Sequence, residues 1–440
     1  MPFKDFGYRL FNALYELIFK ANVDRETLQF FTGTSYVAIG TLFGALLTFV
    51  FTALAARILG PTNFGNLALV TTVSTILAIT MGIGGTAALK YGSGTPDDSA
   101  RSRIVSTYTL QMILLTVGSI ATYVLFSAQL STVFGISREV YLFAIEYAAI
   151  GTFFFFTINS LRILFRIRTI ALLNALQSVI VLAAFLIFVS TNTKSWQAAV
   201  FSLYIGNAAI AVIVVVHLRH YIKLQFDRQW AKKLMTYSQY ALPGAIATSF
   251  MGIDRILINK FIATAAVGMY NAYYLPSVTV AITLWGIVNA AFFPYASKSK
   301  DKLSIFRNVN KAVPYLMAAL VPSIIVIELI IFMLYGRSYL FSVELGLLFA
   351  FAAVACFLYL CHSNLMASEG TSGAKINTVS SIIALAVIIG LNVLLLPLFG
   401  ISGAAFALTI GYLAATLYLM SRHRVLGGSK KNTEEANART

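Results

Sequence analysis

Residues 376–421 read INTVSSIIALAVIIGLNVLLLPLFGISGAAFALTIGYLAATLYLMS and contain no Asp, Glu, Lys or Arg. A transmembrane helix needs about 20 mostly apolar residues, because the hydrocarbon offers the backbone no hydrogen-bond partner. The run is long enough for two such helices, and Pro397 and Gly400 supply a break between them. Its hydrophobicity is continuous rather than alternating, which predicts helices and not the strands of a membrane barrel.

The same signal recurs along the chain. Further runs without a charged residue lie at 27–56, 58–89, 104–137, 169–193 and 261–297. Charged residues make up 11% of the 440 residues, against about 25% in a soluble domain. A soluble chain of this length would lack the side chains to cover its surface. The composition therefore excludes a cytosolic enzyme, a secreted disulfide scaffold and a disordered protein, and it predicts an integral membrane protein.

These runs predict an all-α polytopic membrane protein with twelve transmembrane helices. The expected spans lie near 34–56, 64–87, 104–127, 139–160, 170–190, 198–217, 238–260, 269–294, 311–333, 343–363, 375–396 and 401–420.

The distribution of basic residues predicts the orientation of the spans. Of the 32 Lys and Arg residues, all but six fall on the side of the membrane that carries the N-terminus. The six on the other side are Arg57, Arg138, Lys194, Arg255, Lys260 and Arg337. We therefore expect a multi-pass protein of the cytoplasmic membrane with both termini in the cytoplasm. The net charge of +16 then reflects topology and attraction to lipid headgroups, and not a nucleic-acid partner.

The two halves of the chain show a weak internal repeat. Residues 201–206 (FSLYIG) align with residues 406–411 (FALTIG), and Gly65 pairs with Gly268 at a nearly equal offset. Each half then holds six helices, an even number, so both halves enter the membrane from the same side. This predicts two parallel six-helix lobes around a central cleft, and a mechanism of alternating access.

The predicted division of the chain follows from this repeat. It comprises an N-terminal cytoplasmic amphipathic segment at 1–33, an N-lobe with helices 1–6 at 34–220, a cytoplasmic linker at 221–237, a C-lobe with helices 7–12 at 238–421, and a disordered cytoplasmic tail at 422–440. The amphipathic segment either lies along the inner leaflet or packs on the cytoplasmic loops.

Basic residues near the cleft are candidates for substrate binding, because a charge inside a span costs at least about 2.5 kcal/mol and needs a reason. Arg255, Arg57 and Lys260 together could meet an anionic headgroup, since the arginine fork suits phosphate. Asp254, beside Arg255, is a further candidate for the substrate-binding site. The alternative for Arg57 and Lys260 is snorkelling at the outer interface. For Arg255 the alternative is an ion pair, for instance with Asp254. Adjacent helical residues diverge by about 100°, so Asp254 and Arg255 cannot both face the cleft.

Two acidic residues are candidates for proton or ion coupling. Glu146 lies in the fourth span and Glu328 in the ninth, and each could instead be the partner in an ion pair. The two cysteines, Cys356 and Cys361, share one apolar stretch, which predicts neither a disulfide nor a metal site. The sequence shows no phosphate-binding loop, zinc spacing or activated nucleophile, so we expect no enzyme activity and no cofactor.

Three stretches resemble a known family. They are ARILGPTNFGNLA at 56–68, the combination of LPG at 242–244 with DRILI at 254–258 and VGMYNA at 267–272, and NVLLLPLFGISGAA at 392–405. In order and placement they are similar to the Wzx-type polysaccharide-biosynthesis flippases of the multidrug/oligosaccharidyl-lipid/polysaccharide (MOP) exporter superfamily. The resemblance runs from about residue 34 to 420.

The resemblance implies a MATE-like fold and a flippase for a lipid-linked oligosaccharide on polyprenyl phosphate or pyrophosphate, serving cell-surface polysaccharide or glycoprotein assembly. Its expected partners are this glycolipid, membrane lipids, H⁺ or Na⁺ as a coupling ion, and a glycan polymerase or glycosyltransferases. One alternative is an ion-coupled exporter of drugs or small molecules from the same superfamily. Multidrug members often carry an acidic residue in the first helix, and residues 34–56 have none. A further alternative is a non-transporting subunit that organises a glycan-synthesis complex.

Overall fold

A computed structural model describes residues 25–95, 97–219, 221, 225–298 and 301–423. Most of the predicted amphipathic segment and of the predicted tail, residues 1–24 and 424–440, lies outside the described residues. Within the described ranges the regular structure is helical, without a strand. The all-α membrane fold predicted from the sequence is confirmed.

The helices follow one another with short connections. They are α1 (Arg25–Met81), α2 (Gly85–Gly94), α3 (Asp98–Leu125), α4 (Ser127–Phe134), α5 (Arg138–Ile163), α6 (Ile167–Ser190), α7 (Trp196–Leu218), α8 (Arg228–Ser249), a 3₁₀ turn (Phe250–Gly252), α9 (Ile253–Phe261), α10 (Thr264–Tyr274), a π-helical turn (Leu275–Thr279), α11 (Val280–Lys298), α12 (Lys302–Tyr335), α13 (Val343–Ala367) and α14 (Gly370–Ser421).

Ten segments of the described chain are long and apolar enough to cross a membrane. Two of them, Leu42–Met81 and Ser372–Ser421, are interrupted by glycines with non-helical backbone, Gly60 and Gly400. The break expected near Pro397 therefore lies at Gly400. A count of twelve spans, obtained by dividing both segments at these glycines, stays a prediction.

Short polar side chains determine where several helices begin. An aspartate or serine at the N-cap accepts a hydrogen bond from a free N–H group of the first turn, which stabilises the helix start. The caps of this kind are Asp97, Ser137, Ser195, Asp227, Asp301 and Ser342.

Several turns meet at one end of the bundle. There the side-chain amide of Asn259 donates a 2.6 Å hydrogen bond to the carbonyl oxygen of Gly135. The rings of Phe64 and Tyr339 pack edge to face, with their centres 6.4 Å apart. We call this the predicted outer end, because the distribution of basic residues in the sequence predicts that these turns lie outside the cell. The opposite end is the predicted cytoplasmic end.

The two aligned glycine motifs make equivalent contacts in the two halves. A Cβ atom on Gly206 of α7 would lie 2.3 Å from Val181 of α6, and one on Gly411 would lie 2.4 Å from Ile388. Glycine at these positions thus lets α7 pack closely on α6, and the part of α14 after Gly400 pack closely on the part before it. The same packing occurs twice, as a duplication predicts.

Helix α8 connects the two halves. Leu234 is buried in a cluster with residues of α2 and α3, and the backbone N–H of Asp227 donates to the hydroxyl of Thr107 over 3.1 Å. The first turns of α8, part of which was predicted as linker, therefore pack on the N-terminal half. After the 3₁₀ turn at Phe250–Gly252, helix α9 packs on α14 in the C-terminal half. The boundaries of the lobes stay a prediction.

Candidate functional site

A cavity of about 690 Å³ lies between the two halves. Helices α1, α5 and α7 form its wall on the N-terminal side, and α8 to α11, α13 and α14 contribute from the C-terminal side. The lining extends toward the predicted cytoplasmic end through Thr75, Ser363 and Asn377. Phe64 and Arg255 lie at the other limit of the cavity.

Two glycines close the bundle above the cavity. A Cβ atom on Gly65 would lie 2.1 Å from the carbonyl oxygen of Thr264, and one on Gly268 would lie 1.9 Å from that of Pro61. No other residue has room at such a crossing, so the backbones of α1 and α10 touch directly. We call this contact of Pro61, Gly65, Thr264 and Gly268 the outer seal. It leaves no passage between the two helices at the predicted outer end.

Arg255 lies at the sealed end of the cavity. It follows the 3₁₀ turn at Phe250–Gly252 and is 8% exposed. Its Nε donates a 3.1 Å hydrogen bond to Oδ1 of Asn271. Its guanidinium carbon is 4.1 Å from the centre of the Tyr274 ring, a distance at which a cation is attracted to the aromatic face. These contacts hold the guanidinium in one place.

Asp254 lies behind Arg255 and does not line the cavity. It is 0% exposed, and its Oδ1 is 3.3 Å from Nη1 of Arg255. It also accepts hydrogen bonds from the backbone N–H of Arg255 and from the hydroxyl of Tyr270. Arg255 faces the cavity and Asp254 does not, as the divergence of adjacent helical positions requires. The ion pair with Asp254, which was the alternative interpretation of Arg255, is also present.

The cavity wall is rich in hydroxyl groups that the sequence analysis did not single out. Thr48 and Thr52, and again Thr71 and Thr75, line it from α1. Hydroxyls of α8, α13 and α14 face them. Among the described lining residues, Arg255 is the one charged side chain. The four-residue spacing places the two threonines of each pair on one helix face. This spacing is the sequence pattern from which a hydroxyl-lined wall could have been predicted.

Arg57 and Lys260 lie apart from Arg255. Both are exposed at the predicted outer end and do not line the cavity. Arg57 lies beside Gly336, and the stem of Lys260 contacts Gly135. In this conformation the outer seal separates them from the cavity, so the three basic candidates are not brought together. A role for Arg57 and Lys260 in binding stays a prediction.

The acidic candidates also lie outside the cavity wall. Glu146 is exposed on α5, although its neighbour Tyr147 lines the cavity. Glu328 on α12 is 0% exposed, and neither of its carboxylate oxygens has a hydrogen-bond partner among the described residues. Their part in coupling stays a prediction. No cluster of three His, Cys, Asp or Glu side chains that would hold a metal ion occurs in the described part of the chain.

Solved membrane transporters share this fold. The inward-facing conformation of a multidrug resistance MATE family transporter of the MOP superfamily matches with a TM-score of 0.70 at 16% identity, over 89% of this chain and 99% of that one. The lipid II flippase MurJ in its inward closed conformation matches with a TM-score of 0.67 at 14% identity, over 88% of this chain and 87% of that one. The fold thus defines the class as a polytopic helical membrane protein of the type found in MOP-superfamily transporters and flippases.

The chain belongs to the polysaccharide biosynthesis protein family, whose family model matches residues 30–300. It is also similar to the uncharacterized membrane protein MJ1068 of Methanocaldococcus jannaschii, with 26% identity over 198 residues. That alignment covers 43% of this chain and 39% of the relative, so the match spans about two fifths of the relative's length. The family resemblance predicted from the sequence is confirmed.

Proposed function

We propose that the protein is a flippase that moves a polyprenyl phosphate- or pyrophosphate-linked oligosaccharide across the cytoplasmic membrane, for assembly of a cell-surface polysaccharide or glycoprotein. The observation that carries the proposal is Arg255, a positioned cation at the closed end of a cavity between two halves of a membrane bundle. A glycan polymerase or glycosyltransferases would supply and consume the glycolipid.

Arg255 has the chemistry of a phosphate-binding group. A guanidinium presents several N–H donors in one plane and can bind two phosphate oxygens at once. Asn271 and Tyr274 hold it in place before any substrate arrives, which lowers the cost of ordering the site. Asp254 lies behind it as a counterion, so the cation is not left unpaired when the cavity is empty.

The rest of the wall suits a glycan. Each sugar hydroxyl donates and accepts hydrogen bonds, and the threonine and serine hydroxyls of the wall can do the same. Tyr359 and Tyr412 add aromatic surface to the lining. An exporter of cationic drugs would be served by an acidic group facing the cavity, whereas Asp254 points away from it. The composition of the wall therefore favours a glycolipid headgroup over a cationic compound.

The transport step needs no covalent chemistry. The polyprenyl tail can remain in the lipid while the headgroup occupies the cavity, because only the polar part pays a large cost in hydrocarbon. With both termini in the cytoplasm, the cavity of this conformation extends from the cytoplasmic side. Opening the outer seal and closing the cytoplasmic end would then release the headgroup outside.

Neutralising the ion pair tests this proposal. The variant Asp254→Asn with Arg255→Gln keeps hydrogen-bonding side chains but removes the cation. Hydrogen bonds to charged groups contribute about 1.5–3 kcal/mol, so we expect flipping to slow about 10- to 100-fold. The measurement uses proteoliposomes containing a fluorescent polyprenyl diphosphate sugar and an impermeant reductant that quenches the outer leaflet. Arg255→Lys, which keeps the charge, should lose less.

The matched control is Arg337→Ala, which removes an exposed arginine at the predicted outer end and should flip at the wild-type rate. Wild-type flipping by the double variant would contradict the role of Arg255. If wild-type vesicles instead transport cationic drugs and do not flip the glycolipid, the exporter is the correct function. If glycan assembly in cells tolerates every cavity variant, the protein acts as a non-transporting subunit.

A further inference from the structure

Two carboxylates in the described part of the membrane bundle are 0% exposed, Asp254 and Glu328. They differ in what surrounds them. Asp254 accepts hydrogen bonds from Arg255 and Tyr270, which compensate a negative charge. The oxygens of Glu328 have no hydrogen-bond partner among the described residues. An ionised carboxylate without a partner is costly in an apolar interior.

The space around Glu328 is small and aromatic. A Cβ atom on Gly346 of α13 would lie 2.8 Å from Oε2 of Glu328 and 2.7 Å from the tip of the Phe341 ring. Phe341 in turn packs on Phe332 and Tyr273, with ring centres 5.3 and 5.9 Å apart. Glycine at position 346 makes room for the carboxyl group, and Phe341 covers it.

The other titratable groups near this space do not compensate a charge on Glu328. Tyr273 faces it from α10, but its hydroxyl accepts from the backbone N–H of Ser342 and donates to the carbonyl oxygen of Leu340. Glu344 at the start of α13 is exposed and accepts a hydrogen bond from Ser402. Arg337, in the loop above, is exposed.

The loop that covers Glu328 also reaches the outer seal. It runs over residues 336–342 between α12 and α13. Phe341 of this loop contacts the Glu328 space, and Tyr339 of the same loop is buried against Phe64. Phe64 precedes Gly65, which forms the seal with α10. One short loop thus contacts both the Glu328 space and the residue that precedes the outer seal.

We propose that Glu328 is a proton-binding site whose occupancy controls the outer seal; the proposal rests on the flippase function and names the ion that acts in its cycle. With the proton bound, Phe341 covers the neutral acid and Tyr339 packs on Phe64. When the proton leaves to water, the carboxylate requires hydration, which displaces Phe341 and opens the predicted outer end. A metal cation would need several oxygen ligands, and the side chains around Glu328 are aromatic instead.

The sign of the pH dependence follows from this linkage. Closure binds the proton, so low pH favours the closed outer end and high pH favours the open one. One linked proton changes the ratio of closed to open molecules by at most about tenfold per pH unit. The variant Glu328→Gln imitates the neutral acid and should remain closed across the whole range.

The experiment measures a distance across the predicted outer end as a function of pH. Spin labels are attached at Thr62→Cys and Leu340→Cys, two exposed positions in opposite halves, in the full chain with both native cysteines replaced by alanine. We expect one short distance at low pH and a growing longer population as the pH rises. The longer population should be absent in Glu328→Gln, whereas the control Glu344→Gln should follow the parent protein.

Two results would overturn the inference: a distance distribution that does not respond to pH, or a response that persists in Glu328→Gln. Labelling of the unaltered Glu328 by a hydrophobic carbodiimide, which reacts with protonated carboxyl groups, provides a test that needs no variant at this position. Absence of labelling at low pH also contradicts the proposal. Because neither measurement needs a substrate, a pH response without flipping would refute the proposed function alone, and flipping without a pH response would refute this inference alone.

Discussion

At the scale of single residues, Asp254 shows how a negative charge is kept inside a membrane helix. Its carboxylate accepts hydrogen bonds from the backbone and side chain of Arg255 and from the hydroxyl of Tyr270. Removal of one donor from a buried charged acceptor leaves a desolvated oxygen without a partner. The position of Arg255 in the cavity therefore depends on a tyrosine that does not line it.

The variant Tyr270→Phe tests this dependence. The loss of one hydrogen bond to a buried carboxylate costs about 1–3 kcal/mol, so we expect a lower midpoint of thermal unfolding in detergent. The control Tyr240→Phe removes a hydroxyl from a side chain that is 81% exposed and should leave the midpoint unchanged. Equal midpoints for both variants would show that the Tyr270 hydroxyl does not support the pair.

Sequence reasoning identified the charged residues but not their surroundings. Helical geometry predicts that either Asp254 or Arg255 faces the cleft, but which one does depends on how α9 is rotated against its neighbours, and the structure places Arg255 in the lining. Glu146 and Glu328 look alike in sequence, since each is a single acid in an apolar helix. Burial separates them, and it depends on neighbours that are distant in the chain, such as the glycine beside Glu328.

At the scale of helices, the outer seal depends on two glycines. A methyl group at Gly65 or at Gly268 would meet a carbonyl oxygen of the opposing helix. Overpacking of this kind costs about 1–3 kcal/mol. Since the clash exists only while the two helices touch, the whole cost falls on the closed form.

The variants Gly65→Ala and Gly268→Ala should therefore shift the protein toward an open outer end. We expect the ratio of closed to open molecules to fall about 5- to 150-fold, measured by spin-label distances across this end. The matched control is Gly151→Ala, a helical glycine without a neighbouring atom within 4 Å, which should keep the wild-type distribution. A closed form that persists in both seal variants would contradict direct backbone contact as the basis of closure.

The helices could be predicted from the sequence because a segment that crosses the lipid lacks charged side chains over nearly its whole length, so that charge-free runs mark such segments. The sequence also paired Gly65 with Gly268 through the repeat. It could not predict that these two positions meet, because a repeat relates equivalent positions and carries no information about which helices cross. That information lies in the packing of α1 on α10.

At the scale of the whole molecule, one cavity reaches toward one end of the bundle and the other end is closed. Thr75, exposed in the lining, should be accessible from the side that carries the termini. In a background without the native cysteines, Thr75→Cys should react with an impermeant maleimide from that side, and the attached group should slow flipping by filling the cavity. Vesicles of defined orientation provide the measurement.

The companion variant Thr62→Cys, exposed at the opposite end, should react from the other side only. If both cysteines react from the same side, the orientation predicted from the basic residues is wrong. If Thr75→Cys reacts equally from both sides while the spin-label distances show a closed outer end, the cavity is a continuous pore and alternating access is excluded.

The crossing of α1 and α10 also has a symmetry of its own. Gly65 meets the carbonyl of Thr264 in the same way that Gly268 meets the carbonyl of Pro61, and the predicted internal repeat pairs the two glycines with each other. A surface that matches its own copy in this way is isologous, the arrangement typical of a twofold-symmetric homodimer. The two halves of the chain therefore meet at this crossing as two copies of one subunit would, each presenting a glycine to a carbonyl oxygen of the other.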